Sequence, residues 1–471
     1  MFEQPRFSKW SAFNLGAGFV WVSEATQLGL VSGLPLWIVA SVFLGSGLSQ
    51  LLWPGDARAT QLGALAGGVG LALSIPYGLA LGFGSFLLLA ASAIAAAWGA
   101  GRMALQLEPH VDDVPAPRPS AELAAKLAFD EMILGMEQIG ATGFPLDGTL
   151  ERVIDEVDRT HAIFERAGHL EKPEAYHAAP PDLVEPSITT REIAGHTVEM
   201  LRFESGYAPP EGEPGRERWL GYEPCRTGHA YVLRHADDPR GPRPWLIATN
   251  GYRMGHAAID VRLFERFHRR AGVNVLIPVQ PLHGPRRLGL QSGTGFLGMD
   301  VLDTLHALAQ SMWDTRRLSS WVRAQGAPAV GAIGFSLGAY ATAVFASLVD
   351  DLRCAVLGIP LADIPRAVAR HAASHQLDYA KSRGFDLDRV HDVLRVVSPL
   401  ALEPKVPLAG RFLFGATADR LVTPDHVRDL WRHWDEPEIV WYDGGHVTFR
   451  TERAIWDGID RTLQENGLHA P

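Results

Sequence analysis

Two long stretches of the chain carry no charged residue: residues 25–55, 31 in a row, and residues 59–101, 43 in a row, with only Asp56 and Arg58 between them. A helix needs roughly 20 apolar residues to cross about 30 Å of hydrocarbon, so residues 33–53 read as one membrane span. At about 1.5 Å per residue the longer stretch would make a helix of about 65 Å, too long for one crossing. The Pro-x-Gly at Ile75-Pro76-Tyr77-Gly78 therefore predicts a reversal between spans at about 61–75 and 77–98. Three spans are expected, with a fourth around 12–30 left open. A cleaved signal peptide is the competing reading, but its apolar stretch is only about 7–15 residues, and a soluble helical hairpin would carry charges along one face. Small residues such as Gly67, Gly68, Gly70, Ala91, Ser92 and Ala93 suit close helix packing in lipid. Arg6 and Lys9 favour a cytoplasmic N-terminus. An odd number of spans would then put the remainder of the chain outside and an even number inside, and the sequence leaves both open.

Beyond residue 102 the pattern changes. A proline-containing acidic segment at 108–120 (EPHVDDVPAPRPS) reads as a hinge. Apolar residues at helical intervals then predict two amphipathic helices: 121–139, through Leu123, Leu127, Met132 and Met136, and 150–167, through Val153, Ile154, Val157 and Ile163. A second proline-containing linker spans 169–186. Short β-rich runs follow at 196–203, 230–234, 245–249, 273–279, 329–334, 354–359, 411–415 and 438–442. They alternate with helical stretches at 260–271, 301–324, 337–348, 424–434 and 451–466. That alternation predicts an α/β class domain: a mainly parallel sheet with helices on both faces, preceded by an all-α transmembrane region. The expected division is 1–102 membrane region, 103–189 linker and amphipathic helices, and 190–471 α/β domain. Residues 362–399, too long for an ordinary loop, are expected to form a cap over the site.

Composition narrows the classes. With 471 residues, 47% hydrophobic and 20% charged, the chain is too long for one ordinary domain and is not a disordered, collagenous or coiled-coil protein. Residues 1–102 carry a net charge of +1, so the total of −10 leaves −11 on the rest. An acidic remainder without a basic run argues against nucleic acid as a partner. Two cysteines, Cys225 and Cys354, provide neither a disulfide framework nor a four-thiolate zinc site.

Ligands bind such sheets at the carboxyl ends of the strands, so chemistry is sought just after each β-run. Gly334-Phe335-Ser336-Leu337-Gly338 follows the run 329–334 and opens a helix, which is the strand-turn-helix context of a nucleophilic serine. A serine needs a base and an orienting carboxylate. Asp419 follows the run 411–415 in GATADRLVTP, and His446 follows the run 438–442 in DGGHVTF. The chain order Ser336, Asp419, His446 is that of a triad on this kind of sheet. Asp425 and Asp363 are the rivals for the carboxylate. The oxyanion donors are expected to be the amide of Leu337 and that of Tyr252 or Arg253 in the loop Asn250-Gly251-Tyr252-Arg253-Met254. His283, Arg286 and Arg287 follow the run 273–279, where a substrate with an anionic group could meet them. His371 and His375 have metal-ligand spacing but no third ligand nearby, so no metal is expected.

With Gly334 to Gly338, Asp419, His446 and the loop NGYRMG, residues 190–471 resemble the α/β-hydrolase superfamily. The segment Pro281-Leu282-His283-Gly284-Pro285-Arg286-Arg287 is similar to the corresponding loop of dienelactone-hydrolase-like and acetyl-xylan-esterase-like branches, and of α/β-hydrolase domain-containing proteins of the type-eighteen branch. The loop NGYR departs from the His-Gly pair usual in such proteins. The resemblance implies acyl transfer to water through an acyl-enzyme, with no metal or organic cofactor. The expectation is a membrane-anchored serine hydrolase of the esterase or lipase type, in the cell membrane. Its partners would be the membrane and a small-molecule or lipid-derived ester. An acyltransferase using the same triad, or a non-catalytic membrane binding or scaffold protein, remains as an alternative; oligomeric state is not legible.

Overall fold

A computed structural model describes residues 8–107, 110–140, 147–235 and 241–469. Arg6, one of the two N-terminal cations, and Glu108 and Pro109 of the first linker lie outside the described residues. The chain divides into two compact units, one of Met1–Gly143, Ala416–Asp425 and Trp441–Glu452, the other of Phe144–Gly415, His426–Val440 and Arg453–Pro471.

The first unit is helical. α1 (Ser11–Thr26), α2 (Leu34–Leu52), α3 (Ala57–Leu81) and α4 (Phe83–Leu107) run up and down, and α5 (Ala121–Gly140) packs on α3 and α4. The last three of the first four are long and apolar enough to cross a membrane; α1, at 16 residues, is shorter. The outward faces are apolar: Val31, Ile38, Trp53, Ile75, Leu79 and Phe83 are all more than half exposed. Between the helices the packing is close because the contact residues are small. A Cβ on Gly70 would sit 2.9 Å from the Trp21 ring, and one on Gly67 would sit 2.7 Å from Ala97.

The expected reversal at Ile75-Pro76-Tyr77-Gly78 is not where the chain turns. α3 continues through Pro76 to Leu81, and Gly82 makes the turn with φ +103°, its amide bonded to Gly78 O at 2.9 Å. Pro76 stands close enough to the helix end for the loss of one hydrogen bond to be tolerated. Gly78 is a packing residue: a Cβ there would lie 2.5 Å from the Phe86 side chain of α4. The glycine that breaks the helix is the one whose backbone enters the left-handed region.

The second unit is built on the sheet. β1 (Ser187–Ile193), β2 (His196–Glu204), β3 (Thr227–Leu233), β4 (Trp245–Thr249), β5 (Asn274–Val279), β6 (Val330–Phe335), β7 (Ala355–Gly358), β8 (Arg411–Ala416) and β9 (Glu438–Tyr442) lie in the order β1-β2-β3-β5-β4-β6-β7-β8-β9. The first three strands and β5 pair antiparallel in succession, whereas β5, β4, β6, β7 and β8 are parallel. β4 through β7 are buried along their whole length, as a sheet covered on both faces requires. α6 (Asp147–Ala167) precedes the sheet, and the short helices α7 (Arg216–Leu220) and α8 (Glu223–Arg226) lead into β3. The crossovers are α9 (Ala257–Arg266) from β4 to β5, α10 (Val301–Ala324) from β5 to β6 and α11 (Leu337–Leu348) from β6 to β7. The first steps one way along the sheet and the other two step the opposite way, so right-handed crossovers place α9 on one face and α10 and α11 on the other. Residues 362–399 carry α12 (Ile364–His371), α13 (Ser374–Ser382) and α14 (Leu387–Leu394); α15 (Pro424–His433) and α16 (Arg453–Glu465) complete the unit. With Ser336 on the turn between β6 and α11, this is the α/β-hydrolase architecture.

α6 packs on α10 and α14. Arg152 bonds Glu156 at 2.8 Å and Asp300 at 2.6 Å, and Arg218 joins Glu156, Asp300 and Asp303 in the same network. β1 has no counterpart among the predicted runs. Its residues are exposed nearly throughout, so it shows no alternation of apolar and polar positions.

Candidate active site

Ser336 is held in a backbone conformation that a side chain disfavours, φ 58° and ψ −121°. Its amide bonds Gly358 O of β7 at 2.9 Å, and its carbonyl accepts from Ala339 and Tyr340 in the first turn of α11. The flanking glycines are sterically forced. A Cβ on Gly334 would collide with Gly338 O and Thr342 Oγ1, and one on Gly338 would collide with the Thr249 and Asn250 carbonyls of the neighbouring strand end. The serine is half-buried, while Leu337 beyond it is fully buried. As the first residue of α11, Leu337 has an amide that the helix itself leaves without an acceptor.

The loop after β4 lies against this turn: a Cβ on Gly251 would stand 3.5 Å from Ser336 Cβ. It is fixed from beneath by Asp260 of α9, whose carboxylate accepts from Asn250 Nδ2 at 2.7 Å and from the Gly255 amide at 3.3 Å. Gln280 donates to Asn250 O at 2.9 Å. Asp260 is fully buried, and burial pushes its carboxyl up to about 7. Arg253 adopts φ 67° and directs its guanidinium to Ser292 O and Thr294 Oγ1, 4.7 Å from the centre of the Tyr252 ring. Asp260 is a supporting residue that strand-end motifs do not mark; it stands on the helix after the loop.

Asp419 and His446 belong to the first unit, on the segments that follow β8 and β9. His446 Nδ1 and Asp419 Oδ2 are 2.6 Å apart, and both residues are buried. Asp419 Oδ1 accepts from the amides of Leu421 and Val422, each at 2.9 Å, which fixes the carboxylate's rotation. Burial alone would lower the imidazole's pKa; the Asp419 carboxylate, aided by Asp130, outweighs it and raises it. A carboxylate on Nδ1 orients the ring and leaves Nε2 as the working nitrogen. Asp130, absent from the strand-end motifs, comes from α5 and accepts the His446 amide at 2.7 Å and the Arg420 amide at 3.2 Å. Its neighbour Glu131 holds Arg420 Nε at 2.6 Å. The signal was available in the sequence: Leu123, Leu127, Asp130 and Leu134 share one helical face, so an acid stands on an apolar stripe.

The remaining candidates have other surroundings. His283 is fully buried, with Nδ1 2.9 Å from Pro281 O and its ring 5.1 Å from that of Phe296; burial lowers its pKa to about 4. Arg286 is also fully buried, donating to Val279 O and Cys225 O and pairing with Asp314 at 2.9 Å. Arg287 is exposed and bonds Gly284 O at 3.0 Å. Of the rival carboxylates, Asp363 caps α12 by accepting Arg366 N at 2.9 Å, and Asp425 lies in the first turn of α15. His371 ends α12, His375 lies in α13, and among the described residues no group of three His, Cys, Asp or Glu side chains is placed to hold a metal.

No family model matches the chain. It is 39% identical over 364 residues to an uncharacterised protein of Mycobacterium tuberculosis strain CDC 1551 / Oshkosh, MT2702, covering 76% of this chain and 86% of that one. It is 38% identical, with the same coverage, to the uncharacterised protein Rv2627c of strain ATCC 25618 / H37Rv. The chain belongs to their family. Among solved structures, the chain is similar to acetyl xylan esterase 1 from Thermoanaerobacterium sp. JW/SL YS485, with 16% identity and TM-score 0.43 over 62% of this chain and 98% of that one. It is also similar to a puromycin-hydrolysing peptidase of Mycobacterium tuberculosis, with 14% identity and TM-score 0.41 over 60% of this chain and 41% of that one. At such identities neither structure speaks to substrate.

Proposed function

We propose that the protein is a membrane-anchored serine hydrolase that cleaves a carboxylic ester of a hydrophobic or lipid-derived substrate. The observation that carries this reading is Ser336 itself, a side chain kept at φ 58° between two glycines that nothing larger could replace. Such strain persists only where the surroundings over-determine it, and it lifts the hydroxyl out of the helix that follows. Support for a base comes from the 2.6 Å contact between His446 Nδ1 and Asp419.

In this reading Ser336 Oγ attacks the acyl carbon and gives its proton to His446 Nε2, while Asp419 stabilises the imidazolium. The amides of Leu337 and of Tyr252 or Arg253 receive the developing oxyanion. Collapse breaks the ester C–O bond, the leaving alcohol takes the proton from His446, and water repeats the sequence on the acyl-enzyme. The helices α2, α3 and α4 support the membrane anchor, and with it a substrate that partitions into lipid.

The test is labelling of the full-length protein by a fluorophosphonate, which traps an activated serine without any guess at the ester. Wild type should label, and Ser336→Ala and His446→Ala should not. A folded wild type that fails to label, in detergent and in lipid, would overturn the reading in favour of a binding protein. Product analysis with and without an added alcohol then separates hydrolysis from acyl transfer.

A further inference from the structure

The helix that carries Asp130 has two faces with different duties, both within the first unit. On one side α5 lies on the apolar helices: a Cβ on Gly101 of α4 would collide with Ala124 O, and one on Gly135 of α5 would sit 2.7 Å from Gln61 O of α3. On the other it meets the two segments that hold Asp419 and His446. Leu123 and Leu127 pack with Ala418, and Lys126 bonds Asp443 O at 3.1 Å and Glu452 at 2.8 Å. Between these anchors Asp130, fully buried, has a single oxygen, Oδ2, that accepts from both the His446 and the Arg420 amides. The other oxygen, Oδ1, is buried and has no hydrogen-bond partner among the described residues. Gly445 is required for this approach, because any Cβ there would run into the Asp130 carboxyl.

A carboxyl that bonds the backbone of the histidine and of the residue after the orienting aspartate fixes both relative to one point. It also places a second carboxyl beside an imidazole that already has one. Simple loop anchoring would be met by a serine or an amide at lower desolvation cost, so a buried acid here calls for a use of its charge.

We propose that Asp130 is a positioning residue for the catalytic histidine: it holds His446 by its backbone amide and sets a second carboxyl beside the loop that presents the imidazole. The inference rests on the reading of His446 as the base of a serine hydrolase. Among the described residues, Asp419 on its own loop system and Asp130 from α5 act on the imidazole, and beside them stand Arg420, paired with Glu131, and Tyr442, whose hydroxyl donates to Gly445 O at 2.8 Å. Burial, and next to it Asp419, raises the Asp130 carboxyl, while the imidazole and the two amides oppose that rise. The Asp130 carboxylate thus raises the imidazole's pKa, and the imidazolium in turn lowers that of the carboxyl.

The test compares Asp130→Asn and Asp130→Ala with wild type in the full-length protein. It uses two readouts: the pH profile of fluorophosphonate labelling, and the titration of His446 by NMR of ring-labelled histidine, assigned with His446→Asn. Asparagine keeps an oxygen for the two amides and loses the charge. The acid limb of labelling and the NMR midpoint should then both move down by about one pH unit, with the melting temperature little changed. Alanine loses both, and the plateau labelling rate should fall at least about tenfold. An unchanged His446 midpoint in Asp130→Asn, or a wild-type labelling rate in a folded Asp130→Ala, would overturn the proposal. Because the NMR midpoint needs no turnover, a wild type that fails to label sinks the hydrolase reading alone.

Discussion

The strain at Ser336 is measurable apart from any chemistry. At φ 58° a Cβ costs about 1 kcal/mol or more, which glycine does not incur. Ser336→Ala keeps that strain and Ser336→Gly removes it, so the glycine variant should unfold at higher denaturant than the alanine variant, by about 1 kcal/mol, with both silent to the probe. The candidate residues Ser336, Asp419 and His446 could be picked out in sequence because each follows a recognisable strand, and the structure joins the last two at 2.6 Å. Arg286 and His283 were not legible in the same way. A cation or an imidazole in a polar-looking loop gives no sign in sequence that it will be enclosed by a distant partner such as Asp314. The enclosure of His283 carries its own pH signature. Its folded pKa is depressed to about 4 from the ordinary 6.5, so the unfolded chain takes up a proton that the folded chain refuses. Its share of stability is present above about pH 6.5 and is lost as pH falls toward 4, a loss of about 2 kcal/mol at pH 5. His283→Gln should therefore lose less stability than wild type between pH 7 and pH 5, by about that amount, in urea melts at the two values.

Elements were legible to the extent that burial patterned them. α10 and α11 coincide with the predicted stretches 301–324 and 337–348, and β4 with 245–249: α11 and β4 are buried and apolar along their length, while α10 is marked by its length and by the Asp300 cap before it. β1 was invisible because an exposed edge strand has no buried face to write a period-2 pattern. In the helical unit the pattern identified apolar spans but misplaced a turn, since glycine serves both to turn the chain, as at Gly82, and to let helices touch, as at Gly78. Gly101 is of the second kind, with α5 seated directly on it. Gly101→Leu cannot be accommodated without lifting α5 away from α4, and Asp130 would move with that helix. The variant should keep α2, α3 and α4 in the membrane fraction. It should still lose fluorophosphonate labelling at least about tenfold, and the acid limb of what remains should move toward that of Asp130→Asn. Full labelling in Gly101→Leu would show that the seating of α5 has no bearing on His446.

At the scale of the whole molecule the open question is the side of the membrane, which span counting from sequence left undecided. The four helices alternate in direction, and their contacts say which ends coincide. Ser8 donates to Gln106 at 3.1 Å, and Lys9 and Arg102 both lie against the Trp10 ring, at 4.9 and 5.0 Å, so the start of α1 and the end of α4 share one end of the bundle. Leu15 meets Gly47, which brings the end of α2 and the start of α3, with Asp56 and Arg58, to that same end. Three cations, Lys9, Arg58 and Arg102, thus gather there. At the other end, among the described residues, the only charged side chain is Glu24. The aromatic cluster of Trp10, Phe13 and Trp98 beside these cations has the composition of a membrane interface. We propose, on the positive-inside rule, that this end faces the cytoplasm, and with it the parts of the chain that leave α4 from it. A C-terminal green fluorescent protein fusion in a bacterial host should therefore fluoresce, while a C-terminal alkaline phosphatase fusion should stay inactive. Adding lysines at 30–32, in the connection between α1 and α2, should weaken that preference, since those residues lie at the end now poor in cations. A phosphatase-active, non-fluorescent fusion would instead place the α/β domain outside the cell, and the proposed ester substrate would have to be sought there.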